Sequence, residues 1–163
     1  MTARTRRTAY AVEAVLIVDA AFHLLWATGS TWPAGSVRTL SYGLLGAEVS
    51  FAPRLLLALT ALALTTLTVI HCRARVARGH RLYPLLQAGT LAFLAFVSLR
   101  ALAGIAWGLG LGAPADHPDF YRLNLLLYTP LCIALAAAVL HIARSGTARR
   151  PALAATGAAP ESP

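Results

Sequence analysis

The chain contains no lysine and few charged residues of any kind. Only 12% of its 163 residues are charged, whereas soluble domains carry about 25%. All fourteen basic residues are arginines, and they give a net charge of +8. These arginines fall in short clusters between apolar runs and form no continuous basic face, so no nucleic-acid partner is expected. The arginine-only composition, rich in alanine and leucine, is typical of a bacterial protein from a GC-rich genome.

Cysteine is scarce as well. Cys72 and Cys132 are not spaced as a CxxC pair, and no Cys/His spacing resembles a zinc site. A disulfide framework and a thiol redox relay are therefore not expected. The sequence also lacks a P-loop, a dinucleotide fingerprint, an HExxH motif and a GxSxG motif. It predicts no catalytic residue, no metal site and no cofactor, and hence a non-enzymatic protein.

Four apolar runs of membrane-spanning length dominate the sequence instead. Each supplies about 20 residues, which at about 1.5 Å per residue cross a hydrocarbon core of about 30 Å. Backbone groups in lipid must bond within their own segment, so these runs are expected to be helices. We predict an all-α, integral membrane four-helix bundle over residues 8–144, between a cytoplasmic N-terminus (1–7) and a disordered cytoplasmic tail (145–163). The predicted helices cover residues 8–28, 53–72, 83–109 and 123–143.

Arginine placement predicts the orientation of the spans. Ten arginines lie before the first run, between the second and third runs, or after the fourth. The other side carries three, and Arg100 lies inside the third run. The positive-inside rule then places both termini in the cytoplasm, as expected for a multi-pass protein of the cell membrane whose main partner is the lipid bilayer. In the first outer loop, the stretch from Ser36 to Glu48 is predicted to form a short interfacial helix.

Polar residues in the outer half of the spans form the first candidate site. A charge at membrane depth costs about 3 kcal/mol or more, so it usually has a partner. Asp19, His23 and Trp26 share one helical face. Asp19 and Arg100 lie at similar depth, so we predict a buried Asp19–Arg100 ion pair, with Tyr128 completing the polar layer. This layer either fixes helix packing or forms a cavity that binds a ligand or passes a proton.

A second candidate layer lies near the cytoplasmic side. Glu13, His71 and His141 fall at similar inner depth, on three different runs. Two neutral imidazoles on facing helices can ligate haem or a metal ion. A histidine near a helix end is more often an interfacial residue, and we therefore predict no metal here.

Two short motifs carry a resemblance to a known family. They are "HLLWATGSTW" (23–32), with tryptophan and glycine just after the first helix, and "RLNLLLYTPLCIALA" (122–136), with an aromatic–x–Pro–Leu element. The chain up to about Ala143 resembles small four-helix bacterial integral membrane proteins of unknown function, domain-of-unknown-function family 3995. Such relatives often have an acid before the proline, where this chain has Thr129. The resemblance implies the fold and the membrane location, and no activity.

Three functional hypotheses remain open at this point. The first is a non-enzymatic membrane protein that acts as an interaction or accessory subunit, with a membrane-protein partner or a second copy of itself. The second is a small proton- or cation-coupled transporter that uses Asp19 or Glu13. The third is a haem or quinone redox protein that uses His71 and His141.

Overall fold

The computed structural model describes residues 2–112 and 118–145, and all regular structure within these ranges is helical. This confirms the all-α prediction. A π-helical turn lies between the last two α-helices and makes one continuous helical stretch of them. In chain order the elements are α1 (Ala3–Ala27), α2 (Val37–Leu45), α3 (Pro53–Arg75), α4 (Tyr83–Gly108), α5 (Pro118–Leu123), the π-helical turn (Asn124–Tyr128) and α6 (Thr129–Arg144).

Four of these helical stretches are long and apolar enough to cross a membrane. They are α1, α3, α4 and the continuous stretch Pro118–Arg144. α1 begins at Ala3 rather than near residue 8, because the Thr2 hydroxyl accepts a hydrogen bond from the Thr5 amide and caps the helix before the apolar run starts. The predicted tail lies outside the described residues from residue 146 onward.

The short helix α2 lies where the sequence predicts one. The Ser36 hydroxyl accepts a hydrogen bond from the Thr39 amide at its start, and Gly46 ends it with a φ of 68°, a left-handed conformation that glycine adopts without strain. Ser41 is fully buried. Its hydroxyl donates to the Ala47 carbonyl and accepts from the Val49 amide, both at 2.6 Å, so the following loop folds back against α2.

The four long stretches run alternately up and down. At one end, Thr5 of α1 is 3.4 Å from the His141 imidazole of α6, and Arg73 of α3 donates to Gln87 of α4 at 2.6 Å. We call this the terminal end, and we call the opposite end, which carries α2 and α5, the loop end. α1 packs mainly against α3 and also contacts α6, while α4 packs against α6 and α3.

The hydrophobic core lies in the terminal half of the molecule. Its buried members come from three helices and are Ala9, Val12, Leu16, Ile70, Ala74, Val139 and Ile142. Toward the loop end, Leu40, Leu56 and Phe120 are buried together with small or polar residues: Ala20, Thr60, Ala63, Ala101, Gly104, Asn124 and Thr129. Small residues allow close helix approach in membranes.

Candidate functional site

Asp19 lies on a face of α1 that the other spans do not cover. Its side chain is 52% exposed, and its Oδ2 atom is 3.4 Å from Nδ1 of His23, one turn further along. The same imidazole nitrogen is 2.9 Å from the Asp19 backbone carbonyl. Leu16 and Ala20, on either side of Asp19, are buried. The prediction of a buried Asp19 is wrong, because α1 packs through the adjacent face.

Neutral groups surround Arg100. Its Nη1 donates to Oδ1 of Asn124 at 3.1 Å, and its guanidinium lies 4.9 Å from the Trp107 ring centre and 5.7 Å from that of Tyr128. Within the described part of the chain, no carboxylate lies within 4 Å of it. The predicted Asp19–Arg100 ion pair is therefore wrong, because equal depth does not specify which face of a helix a side chain occupies.

Tyr128 lies beside Arg100. Its ring centre is 5.7 Å from the Arg100 guanidinium. The contacts divide the predicted outer layer into two groups. His23 contacts both Asp19 and Trp26 on α1, and Arg100 contacts Tyr128. Asp19 and Arg100 each contact the nearest polar groups, and they do not contact each other.

Asn124 organises this region, and sequence reasoning missed it. It is fully buried. Its Nδ2 donates to the Gly104 carbonyl at 2.8 Å, while its Oδ1 accepts from Arg100 and, at 3.4 Å, from the Thr129 hydroxyl. An amide that satisfies both its donor and acceptor sides is held in one orientation. The signal that could have found it is a polar amide five residues before a threonine in an otherwise apolar run.

The π-helical turn brings Asn124 and Thr129 together. The Thr129 amide donates to the Asn124 carbonyl, five residues back. Pro130 is the next residue after Thr129. In a regular α-helix a proline ring crowds the carbonyl four residues earlier, and the wider π-helical turn relieves that contact. A proline inside a helix distorts the turn before it, and the π-helical turn lies immediately before α6, in which Pro130 is the second residue.

Trp26 anchors the connection between α1 and α2. Its indole nitrogen donates to the Trp32 carbonyl at 2.9 Å. Its ring meets those of His23 and Phe51 edge-on, at centroid distances of 5.8 and 5.7 Å. Aromatic rings at the end of a span are typical of the membrane interface.

The second predicted layer divides into two separate contacts. Nδ1 of His71 is 3.1 Å from Oε1 of Glu13, and the Glu13 side chain is only 13% exposed. His141 instead contacts the Thr5 hydroxyl. Within residues 2–112 and 118–145, no group of three or more His, Cys, Asp or Glu side chains is placed to hold a metal ion.

Arg73, one of the ten arginines that predict the orientation, forms a polar contact inside the protein. It is 1% exposed and donates to the carbonyls of Ala143 and Ser145 at 2.9 and 3.2 Å. It also bonds Gln87 and the Tyr83 hydroxyl. Unpaired carbonyls at a helix C-terminus carry partial negative charge. Arg73 therefore caps α6 and joins it to α3 and α4 at the terminal end.

Four apolar spans with polar contacts inside them are the features of an integral membrane protein. A family model described as "Protein of unknown function (DUF3995)" matches residues 16–139. The chain belongs to this family, which confirms the resemblance seen in its sequence motifs. No curated protein and no solved structure matches the chain. The matched range includes Asp19, Arg100 and Asn124, but it begins after Glu13 and ends before His141.

The contacts of Gly104 predict that it does not tolerate a side chain. A Cβ there would collide with the Thr129 hydroxyl and lie 3.1 Å from Oδ1 of Asn124, whereas a Cβ on Gly108 would be 3.6 Å from a Leu125 methyl group. We expect Gly104→Ala to cost about 1–3 kcal/mol by overpacking, measured as a lower melting temperature in detergent.

Gly108→Ala is the matched control on the same helix and should be close to neutral. Adding Thr129→Ala to Gly104→Ala removes the nearest clashing atom, so the double variant should regain part of the lost melting temperature. Equal melting temperatures for the two single variants would contradict the described packing of α4 on α6.

Proposed function

We propose that this protein is a non-enzymatic, multi-pass protein of the cell membrane that acts as an accessory subunit. In this proposal its spans form a four-helix bundle with both termini in the cytoplasm. Through α1 it associates with another polypeptide within the membrane, either a second copy of the chain or a different membrane protein.

One observation carries the proposal. The Asp19 side chain is 52% exposed on a span of membrane length, and its described partner is the histidine of the same helix. Lipid offers a carboxylate no hydrogen bond, and such a charge at membrane depth costs about 3 kcal/mol or more. A polypeptide seated on this face of α1 would remove that cost by supplying donors.

The proposed orientation rests on the arginine distribution. In the sequence, ten of the fourteen arginines precede the apolar part of α1, lie near the α3–α4 turn, or follow the apolar part of the last span. Cytoplasmic loops of membrane proteins carry such an excess. The loop end, with α2 and α5, then faces outward.

Two open glycines provide a matched test of this orientation. A Cβ added at Gly35, in the loop before α2, or at Gly79, in the α3–α4 turn, would meet nothing within 4 Å. In a background without Cys72 and Cys132, Gly35→Cys should react with a membrane-impermeant maleimide in intact cells. Gly79→Cys should react only after permeabilisation. The reverse pattern would invert the orientation.

The proposed association predicts a position-specific crosslink. A benzophenone side chain placed at Val18, which is 55% exposed and adjacent to Asp19, should form an adduct with a polypeptide on illumination of native membranes. Asp19→Asn should lower the adduct yield several-fold, because it removes the charge that the partner satisfies. Immunoblotting against the chain distinguishes a second copy from a different protein.

The control is a benzophenone at Leu102, which is 62% exposed on α4. It should crosslink to lipid and give little polypeptide adduct. Equal polypeptide adducts at both positions, or lipid adducts alone at Val18, would remove the support for association through α1.

A second candidate function is proton-coupled transport. α1 carries two acids at different depths, about 9 Å apart along the helix, and each is close to an imidazole: Asp19 to His23 at 3.4 Å and Glu13 to His71 at 3.1 Å. Chains of such protonatable groups act as proton relays in transporters. The described contacts give the haem or quinone hypothesis no comparable support, because His71 and His141 bond to different residues.

Proton flux into proteoliposomes tests this candidate with a trapped pH dye. If the protein is a proton-coupled transporter, flux driven by a membrane potential should be lost in Glu13→Gln and Asp19→Asn. The flux should persist in Glu48→Gln. The Glu48 carboxylate lies outside the spans, after α2, where it pairs with Arg38 at 3.5 Å. A wild-type flux no greater than that of empty liposomes excludes the candidate.

A further inference from the structure

The Arg100 guanidinium has most of its hydrogen-bonding capacity unused. A guanidinium carries five N–H donors. In the described part of the chain, the one hydrogen bond from it is Nη1 to Asn124. The aromatic faces of Trp107 and Tyr128 contact the guanidinium cation. They accept no hydrogen bond from the N–H groups that lie in the guanidinium plane. The group is therefore a cation with open donors.

The guanidinium reaches toward the loop end of its span. Arg100 lies two turns before Trp107, yet its cation is 4.9 Å from the Trp107 ring. α4 ends at the next residue, Gly108. Long arginine side chains place their charge at the membrane interface in this way, and tryptophan is enriched at that depth. The free donors therefore lie near the level of lipid headgroups.

The surroundings hold the fork in one position. Asn124 is itself fixed by its bond to the Gly104 carbonyl at 2.8 Å, so the acceptor of Arg100 does not rotate. Two rings flank the guanidinium. A fork that is already oriented loses little entropy when it binds an oxyanion, and its geometry matches two oxygens of a phosphate.

We propose that Arg100, held by Asn124 beside Trp107 and Tyr128, binds a phosphate group at the loop end of the spans. The same chemistry is offered by the phosphodiester of a lipid headgroup and by free inorganic phosphate. This site does not depend on a partner for α1.

The test compares two lipids of zero net charge, of which only one carries a phosphate group. Protein in detergent is mixed with phosphatidylcholine or with a diacyl galactolipid of the same chain length, and retained lipid is counted by native mass spectrometry. We expect about tenfold stronger retention of the phospholipid. Arg100→Gln should abolish this preference, and Arg100→Lys, which keeps the charge and loses the fork, should restore part of it.

Arg54→Gln is the matched control, because Arg54 is an exposed arginine at the same end of the spans. It should keep the preference. In a third arm, inorganic phosphate is added to the wild-type protein. Free phosphate is identified as a ligand of the same site if it displaces the phospholipid. It is also identified if phosphate alone raises the melting temperature and Arg100→Gln removes that shift.

The comparison of lipids uses the unaltered protein, so it does not depend on the folding of any variant. Equal retention of the two lipids together with no thermal shift in phosphate overturns the proposal. A phospholipid preference that Arg100→Gln leaves unchanged overturns it as well.

Discussion

The rest of the structure depends on one constraint, namely that polar groups inside the spans must find partners within the protein. Lipid supplies neither donors nor acceptors. Among the described residues, no buried side-chain nitrogen or oxygen lacks a hydrogen-bond partner. Asn124 meets this constraint with the Gly104 carbonyl, Arg100 and Thr129. The bond between Asn124 and the Gly104 carbonyl requires a close approach of α4 and α6 at Gly104. Any side chain at Gly104 would push these helices apart.

Dipoles and rings, rather than carboxylates, accommodate Arg73 and Arg100. Arg73 bonds the terminal carbonyls of α6, and Arg100 bonds an amide and contacts two aromatic rings. The acids Asp19 and Glu13 are close to histidines instead. Arginine is effectively always charged, whereas a carboxylate or an imidazole can change its protonation state. The two arginines thus have no carboxylate partner among the described residues, and the two acids are close to imidazoles instead.

The length and apolarity of the runs were enough to predict the four helical spans, because both depend on local sequence, and the short helix α2 lies where the first outer loop was expected to hold one. The partners of Asp19 and Arg100 could not be predicted in the same way. Depth follows from counting residues, but the direction of a side chain depends on which face of α1 packs against α3. Asn124 was missed for a different reason: it is neutral, and a charge-based search of an apolar run does not detect it. Arg73 was found but assigned to topology, since its burial depends on the end of α6.

The π-helical turn has a consequence for how the last span is built. An α-helix turns about 100° per residue, and the turn at Asn124–Tyr128 holds one more residue than a regular α-helical turn. The stretch before it is therefore rotated by about one residue relative to α6. Phe120 and Asn124 lie before or at the start of this turn and Val139 and Ile142 lie after it, and all four side chains are buried. The last span is therefore two helical segments joined at a point where the helical phase changes, and α5 and α6 need not present their buried residues in one regular register.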